Sequence, residues 1–281
     1  MPTAIPTISL PGGATVVALG QGTWHMGESA NRRKQEVAAL RLGLELGLSL
    51  IDTAEMYASG VAEEIVGEAF AGRRDDIFIV SKVLPENATR RGTLTACERS
   101  LKRLKTDRID LYLLHWRGSP PLADTLAAFA TLISDGKIRH WGVSNFDADD
   151  MAELWGLAGG NAVATNQVLY NLTRRGIEHD LVPACRKRHV PIMAYSPIEQ
   201  GRLLHHRVLE EIAGRHNATA AQVALAWLLR QDGTIVIPKS SNEAHVRENR
   251  AAADVRLTAA DLAALDQEFP PPNGPRSLEM L

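Results

Sequence analysis

Strand-like and helix-like segments alternate along the whole chain, and this alternation predicts the α/β class and a single (β/α)8 TIM barrel. The strand-like segments are rich in Val, Ile and Leu, which is typical of a parallel sheet covered by helices. Glycine stands where a helix should end before the next strand, at Gly47, Gly136 and Gly233. We therefore expect residues 1–281 to form one barrel domain.

The predicted elements begin with an N-terminal β-hairpin over residues 8–17, whose turn is Pro11-Gly12-Gly13. The first barrel strand follows within residues 19–24, and the other seven lie near residues 49–52, 77–81, 109–114, 138–143, 163–167, 190–195 and 234–237. Helices are predicted near residues 34–48, 61–71, 91–105, 121–135, 148–158, 177–189, 219–231 and 243–252. The longer gap after the seventh strand holds an extra helix near residues 207–215.

The alternative fold is an open doubly wound sheet, which binds a dinucleotide at a Gly-x-Gly-x-x-Gly turn after its first strand. Gly20 and Gly22 fit that pattern, but His25 occupies the place of the last glycine. The closed barrel is therefore favoured.

Composition restricts the classes of partner. The net charge is −2, and we find no basic stripe that would bind nucleic acid or an anionic membrane. No apolar run approaches the roughly 20 residues of a membrane span, and the N-terminus lacks the pattern of a secretory signal. Cys97 and Cys185 are too few for a disulfide framework, so we expect a cytoplasmic protein. We also expect a monomer without a metal site.

Three charged or polar residues stand at the ends of consecutive predicted strands. Asp52 ends the second strand, Lys82 the third and His115 the fourth, while Tyr57 follows Asp52 in a polar segment. A carboxylate at the end of a buried strand needs a cationic partner. Because strand ends converge at the mouth of a barrel, these four side chains are expected to form one site. Taken singly, each residue favours a structural interpretation, with Asp52–Lys82 as an ion pair and Tyr57 as a loop anchor. Their joint placement on three consecutive strands favours one site.

Together the four residues could protonate a carbonyl oxygen. A tyrosine has a pKa near ~10, and lowering it to about 7–8 requires roughly 3–4 kcal/mol. An ammonium about 4 Å away supplies on the order of 4 kcal/mol at an effective dielectric near 20. We therefore expect Lys82 to lower the pKa of Tyr57, with Asp52 holding Lys82 and His115 orienting the substrate. Such a site also needs a bound hydride donor.

These residues and several motifs around them resemble the aldo-keto reductase family. The motifs are Gly20-Gln21-Gly22-Thr23-Trp24, Asp52-Thr53-Ala54-Glu55-Met56-Tyr57, Ser81-Lys82, Leu114-His115-Trp116, Gly142-Val143-Ser144-Asn145-Phe146, Asn166-Gln167, Ala194-Tyr195-Ser196-Pro197 and Ile237-Pro238-Lys239-Ser240. The resemblance implies a barrel that binds NADPH across its mouth, with Asp52, Tyr57, Lys82 and His115 as the catalytic tetrad and Tyr57 as general acid.

The resemblance also implies a set of cofactor-binding residues. Ser144, Asn145 and Gln167 would hold the nicotinamide carboxamide, and Tyr195 would stack on the ring. Lys239 would meet the adenosine 2′-phosphate. The remaining expected cofactor contacts are Gly22, Thr23, Trp24, Asp52, Ser196, Pro197, Ile198, Gly201, Ser240, His245, Glu248 and Asn249.

One position departs from the family pattern. His245 stands where the family usually has a phosphate-binding arginine, and Arg247 lies about 200° further around a helix. A neutral histidine is a weaker phosphate ligand than a guanidinium. NADPH is expected because Lys239 is retained, and NADH use stays open.

The expected substrate pocket consists of Trp24, Met26, Tyr57, His115 and Trp116. The chain after Phe269 is short, which predicts an open mouth without a large lid. The pattern looks most like the bacterial reductases of methylglyoxal and related small carbonyls. Reduction of diketo sugar acids or other 2-oxo carbonyls is an alternative, and a cofactor-sensing regulatory subunit is another.

Overall fold

The computed structural model of the protein describes residues 3–281 and contains two sheets. The strands are β1 (Thr7–Ser9), β2 (Thr15–Val17), β3 (Gln21–Gly22), β4 (Leu50–Asp52), β5 (Phe78–Val83), β6 (Ile109–Leu114), β7 (Ile138–Ser144), β8 (Asn166–Leu169), β9 (Ile192–Tyr195) and β10 (Thr234–Val236). Strands β1 and β2 form the predicted antiparallel hairpin. Strands β3 to β10 pair in parallel and in chain order.

Backbone hydrogen bonds join the first and last barrel strands. The Val236 amide donates to the Ala18 carbonyl oxygen at 2.7 Å, and the Gly20 amide donates to the Val236 oxygen at 2.8 Å. Gly20 is required at this junction, because a Cβ there would lie 2.7 Å from the Leu50 carbonyl oxygen. The sheet therefore closes, and the predicted (β/α)8 barrel is confirmed.

Ten α-helices surround the barrel in the part of the chain described. They are α1 (Arg33–Glu45), α2 (Val61–Ala69), α3 (Arg90–Leu104), α4 (Leu122–Ser134), α5 (Ala148–Gly156), α6 (Leu181–Lys187), α7 (Arg207–His216), α8 (Ala220–Leu229), α9 (Glu243–Ala251) and α10 (Ala259–Glu268). Helix α7 is the predicted extra helix after the seventh barrel strand. Capping boxes start α5, α8 and α10, where an N-cap side chain and the N3 side chain satisfy each other's backbone amides.

Several element boundaries and one element differ from the sequence prediction. The strand predicted over residues 163–167 is displaced to β8, and the helix predicted over 177–189 starts only at Leu181, whose amide is capped by Asp180. Helix α10 was not among the predicted helices. It is held by the buried carboxylate of Asp261, which accepts hydrogen bonds from Arg215 and His216 of α7. That contact joins distant segments, although Thr258 and Asp261 also mark the start of α10 locally as a capping box.

The hairpin covers the amino-terminal end of the barrel. Leu10 and Val16 pack with Leu50, Val80 and other side chains that fill the barrel interior. A second apolar layer lies between the strands and the helices. The carboxyl ends of the strands are left as the accessible end of the barrel. Within residues 3–281, no helix combines the length and the apolar character that crossing a bilayer demands.

Candidate active site

A cavity of about 510 Å³ lies at the carboxyl ends of the barrel strands. Its walls come from the ends of several strands and the loops that follow them, as expected for this fold. The lining residues are Gly22, Trp24, His25, Asp52, Met56, Tyr57, His115, Trp116, Ser144, Asn145, Gln167, Tyr195, Ser196, Pro197, Ile198, Gln200, Gly201, Ile237, Lys239, Met280 and Leu281.

Lys82 lies at the centre of the predicted tetrad and is fully buried. Its ammonium donates to Asp52 Oδ2 at 2.9 Å, to the Thr53 carbonyl oxygen at 2.9 Å and to the Tyr57 hydroxyl at 3.0 Å. All three of its hydrogens therefore have acceptors. Burial lowers the pKa of Lys82, but the Asp52 carboxylate and the hydrogen bonds to Asp52 and Tyr57 outweigh it, so the pKa is raised and the ammonium stays protonated.

The carboxylate of Asp52 is shared between two partners. While Oδ2 accepts from Lys82, Oδ1 accepts from Gln167 Nε2 at 2.7 Å. Gln167 was expected to hold a nicotinamide carboxamide, and in the structure its amide fixes the orientation of Asp52. Sequence reasoning missed this contact because the two residues are 115 positions apart.

The environment of Tyr57 raises the pKa of its hydroxyl. Burial is the main cause, and the Lys82 ammonium opposes it without overcoming it. The expectation of a lowered pKa was therefore wrong, because the sequence gives no measure of how completely Tyr57 is desolvated. Tyr57 carries its proton at neutral pH, and Lys82 is placed to stabilise the tyrosinate that would form when the proton is transferred.

His115 lies beside Tyr57, with ring centroids 5.9 Å apart in an edge-to-face arrangement. Burial, assisted by the nearby Lys82 charge, lowers the pKa of His115 to about 2. The ring is therefore neutral and can supply one N–H donor. Nδ1 is buried and has no hydrogen-bond partner among residues 3–281. His115 can orient a ligand oxygen in the cavity but cannot act as a cation.

A strained turn places Tyr57 against Lys82. Ala58 and Ser59 have φ of 48° and 54°, and Gly60 has φ of 94°. Two non-glycine residues in the left-handed region cost roughly 1–2 kcal/mol each, so neighbouring contacts must hold the turn. A Cβ at Gly60 would lie 2.6 Å from Arg103 Cδ, which shows how closely Arg103 passes the turn.

Glu63 connects this turn to the strand that carries Lys82. Its Oε1 accepts from Ser81 Oγ at 2.6 Å, and its Oε2 accepts from Arg103 Nε at 2.6 Å. Glu63 is fully buried, so both contacts are needed to compensate its desolvation. Sequence reasoning did not single out Glu63. The feature that could have identified it is a charged residue, six positions after Tyr57, on the face of α2 that is buried.

The amides expected to hold a nicotinamide already bond to protein atoms. Asn145 Nδ2 donates to the His115 carbonyl oxygen at 3.1 Å, and Asn145 Oδ1 accepts from the Tyr195 hydroxyl at 2.9 Å. Ser144 Oγ donates to the Gln167 carbonyl oxygen at 2.8 Å. Ser144, Asn145, Gln167 and Tyr195 thus form one connected group across the ends of β7, β8 and β9.

Lys239 lines the far end of the cavity and is partly buried. Burial lowers its pKa, with Glu36 opposing. Within residues 3–281 it forms no ion pair closer than 4.0 Å. Gly22, Ser196, Pro197, Ile198 and Gly201 also line the cavity, as expected. A half-buried cation without a carboxylate partner suits an anionic group of a ligand.

The remaining residues expected at the adenosine end do not line the cavity. Ser240 Oγ donates to the Asn242 carbonyl oxygen and accepts from its amide, at the start of α9. His245 is exposed on α9, Glu248 is half-buried and Asn249 is buried. Arg247 points elsewhere, into a groove that α1 also lines.

Two expected site residues are placed away from the cavity. Met26 was expected in the substrate pocket, but it is fully buried in the outer core. His25 has a left-handed φ of 64°, and the Met26 amide donates to the Thr23 carbonyl oxygen, so the tight turn directs Met26 inward. Thr23 is also fully buried, and its hydroxyl donates to the Asp52 carbonyl oxygen at 2.9 Å. It supports the site from behind.

Several lining residues were not predicted, and the C-terminal segment supplies two of them. Met280 and Leu281 contribute to the cavity wall, although the chain after Phe269 was expected to be too short for a large lid. His25 also lines it and stacks on Trp24, with ring centroids 4.4 Å apart. The others are Met56, Gln200 and Ile237. The C-terminal segment has no periodic pattern from which its path could be predicted.

The barrel and its Asp52–Lys82–Tyr57 site define a barrel enzyme that can protonate an oxygen atom of a ligand bound in the cavity. The chain belongs to the aldo/keto reductase family, whose pattern matches residues 18–268. The resemblance found in the sequence is thereby confirmed, and the protein is an oxidoreductase.

Individual relatives agree over nearly the full length. The chain is 55% identical over 279 residues to methylglyoxal reductase YeaE of Escherichia coli (strain K12), covering 98% of each sequence. It is 36% identical over 267 residues to glyoxal reductase of Bacillus subtilis (strain 168), covering 95% of this chain and 94% of the relative. It matches the crystal structure of an aldo/keto reductase from Klebsiella pneumoniae in complex with NADP and acetate with a TM-score of 0.97 and 49% identity, over 99% of this chain and 100% of that one.

Proposed function

We propose that the protein reduces methylglyoxal and related small aldehydes or ketones to alcohols, with NADPH as the reductant and Tyr57 as the general acid. The observation that carries the proposal is the position of Lys82 Nζ, 2.9 Å from Asp52 and 3.0 Å from Tyr57 at the wall of the cavity. The 55% identity to a methylglyoxal reductase supports the substrate class.

The residues that line the cavity fit NADPH. Tyr195 offers an aromatic face for the nicotinamide, next to the amide groups of Asn145 and Gln167. Lys239 offers the unpaired cation that a 2′-phosphate requires, which favours NADPH over NADH. Ser240, His245, Glu248 and Asn249 follow Lys239 at the start of α9 and along it, and we assign them to the adenosine. NADPH bound in this way would supply the hydride for the carbonyl carbon.

The chain's own residues then complete the reduction at the carbonyl oxygen. Tyr57 is protonated and donates its proton to that oxygen as negative charge develops there. Lys82 stabilises the resulting tyrosinate, and Asp52 keeps Lys82 charged and oriented. Neutral His115 donates a hydrogen bond to the same oxygen. The alcohol leaves, and Tyr57 regains a proton from water.

The walls nearest Tyr57 suit a small carbonyl compound. Trp24, Trp116 and His115 line the cavity there, and Met56 lies at its rim. Both cysteines are buried free thiols, which supports a location in the reducing cytoplasm.

Initial rates of NADPH oxidation with methylglyoxal test the proposal, with NADH and a diketo sugar acid as parallel arms. We expect turnover with methylglyoxal and NADPH, and a lower rate with NADH. Faster turnover of the sugar acid would make that alternative the function. NADPH binding without turnover of any carbonyl compound would contradict the proposal and favour a cofactor-sensing subunit.

A further inference from the structure

Arg174 contacts two separate segments that both form the cavity wall. It follows β8, and its guanidinium donates to Glu199 Oε1 from Nε at 3.1 Å and from Nη2 at 2.8 Å. The remaining nitrogen, Nη1, donates to Glu279 Oε1. Glu199 belongs to the segment after β9, and Glu279 belongs to the C-terminal segment. We call Arg174, Glu199 and Glu279 the Arg174 cluster.

The Glu199 side of the cluster is built into the protein. Glu199 is only 4% exposed, and its Oε2 accepts from Asn171 Nδ2 at 2.7 Å. Asn171 is fully buried and also donates to the Ser196 carbonyl oxygen at 2.9 Å. The loop after β8 therefore holds the segment 196–201 at two points.

Segment 196–201 needs such support because its backbone is strained. Ser196, Glu199 and Gln200 have φ of 47°, 50° and 55°, in the left-handed region that non-glycine residues disfavour. The same segment contributes Ser196, Pro197 and Ile198 to the cavity. Under the proposed function it would contact the cofactor.

The Glu279 side of the cluster is more exposed. Met280 and Leu281 follow Glu279 and line the cavity, yet they are 50% and 45% exposed. Little burial holds these two residues in place, so contacts of the neighbouring residues must order them. The Arg174–Glu279 ion pair is one such contact, and the packing of Leu278 against the outer core is another. Their position beside the cavity makes them a wall for bound substrate.

We propose that Arg174 is a positioning residue that couples the cofactor-side segment 196–201 to the substrate-side C-terminal segment. One planar guanidinium serves both carboxylates, so a conformation that fixes Glu199 also fixes the place where Glu279 can bind. Without Arg174 the two carboxylates would repel each other. Cofactor bound against segment 196–201 should therefore order the C-terminal segment, and by linkage the reverse also holds.

Hydrogen exchange of a peptide covering residues 270–281 tests the coupling without turnover. In the unmodified protein, NADPH should slow exchange of this peptide by about threefold or more, the scale of a partly exposed ion pair. Arg174→Gln and Glu279→Gln should each abolish this response. Arg202→Gln is the matched control, because Arg202 faces the same Glu199 oxygen at 3.7 Å and is 57% exposed. It should leave the response intact.

Steady-state rates with methylglyoxal give a second readout. Glu279→Gln should raise KM about threefold and leave the Kd for NADPH within about twofold, whereas Arg174→Gln should raise both. Arg174→Lys keeps the positive charge but lacks the planar guanidinium that can bind two carboxylates. Its KM and its Kd for NADPH should therefore lie between those of the unmodified protein and of Arg174→Gln.

The inference rests on the proposed function only in taking NADPH as cofactor, and the two can fail separately. Absence of NADPH binding would overturn both. NADPH binding with turnover, but with no change in exchange of residues 270–281 in the unmodified protein, would overturn the coupling alone. The coupling would also be overturned if NADPH slowed exchange of residues 270–281 in Arg174→Gln as much as in the unmodified protein.

Discussion

The two ends of the cavity are built in different ways. At the tetrad end, Lys82 is fully buried, Asp52 is 2% exposed, and both are fully hydrogen-bonded to protein atoms. At the phosphate end, Lys239 is only partly buried and His245 is exposed on a helix surface. The first arrangement fixes charges in a set geometry, and the second leaves a charge available for a ligand. Changes at the tetrad end should therefore affect stability and rate, and changes at the phosphate end should affect cofactor affinity alone.

The largest effect is expected for Lys82→Met. It leaves the Asp52 carboxylate buried without its cation, which should lower the free energy of unfolding by about 3–5 kcal/mol and remove measurable reduction. Urea denaturation measures the first effect and NADPH oxidation the second. Lys137→Met, which removes a partly exposed ion pair with Glu98, is the matched control and should cost no more than about 1 kcal/mol. If both variants lost the same free energy of unfolding, the buried tetrad end would not be more important for stability than a surface ion pair.

Burial of His115 should make the free energy of unfolding depend on pH. Its pKa is lowered to about 2 in the folded protein, whereas the unfolded chain binds a proton near pH 6.5. The unfolded state therefore takes up more protons as the pH falls below 6.5, and stability decreases. Between pH 6.5 and 5 the loss should be about 2 kcal/mol more than in His115→Gln, as measured by urea denaturation. If the free energy of unfolding changed with pH equally in both proteins, burial would not keep His115 neutral.

Lys239→Met should change cofactor affinity without changing stability. Removing one charge opposite the 2′-phosphate should raise the Kd for NADPH by about tenfold and leave the Kd for NADH unchanged. Fluorescence titration with both cofactors measures this difference. Lys34→Met, an exposed lysine on α1, is the control. A similar weakening for NADH would mean that Lys239 does not contact the 2′-phosphate.

The smallest effect is expected for His245→Arg, which restores the arginine typical of the family. A guanidinium binds phosphate better than a neutral imidazole, so the Kd for NADPH should fall about threefold, less than a full charge-assisted bond because the site is exposed. Arg247→His is the matched control, because Arg247 faces the groove beside α1. Tighter binding in neither variant would place the phosphate away from α9.

The sequence predicted that the tetrad side chains lie close together, because the order of the strands brings them to one end of the barrel. Asp52, Lys82 and His115 lie at the carboxyl ends of three neighbouring parallel strands. In a closed barrel these ends are adjacent, so the three side chains must lie close together. The degree of burial was not predictable, and for this reason the pKa of Tyr57 is raised where a lowered value was expected. Burial depends on side chains contributed by the whole barrel.

Positions in loops were less predictable than positions on strands. Met26 follows the first barrel strand closely, but the left-handed His25 turns it into the core. Glu279 reaches Arg174 across 105 positions, and no local pattern marks that contact. The order of the strands in the barrel determines where the strand ends lie. The positions of loops and of the C-terminal segment depend instead on individual long-range contacts.

Single-turnover hydride transfer tests most directly whether Tyr57 supplies the proton. Protein preloaded with NADPH would be mixed with methylglyoxal, comparing Tyr57→Phe with Tyr112→Phe, whose buried hydroxyl has no partner among residues 3–281. Loss of a general acid should slow Tyr57→Phe by about 10²–10⁴-fold, with unchanged Kd for NADPH, while Tyr112→Phe should match the unmodified protein. A Tyr57→Phe variant that transfers hydride at the unmodified rate would contradict the assignment of Tyr57 as the acid.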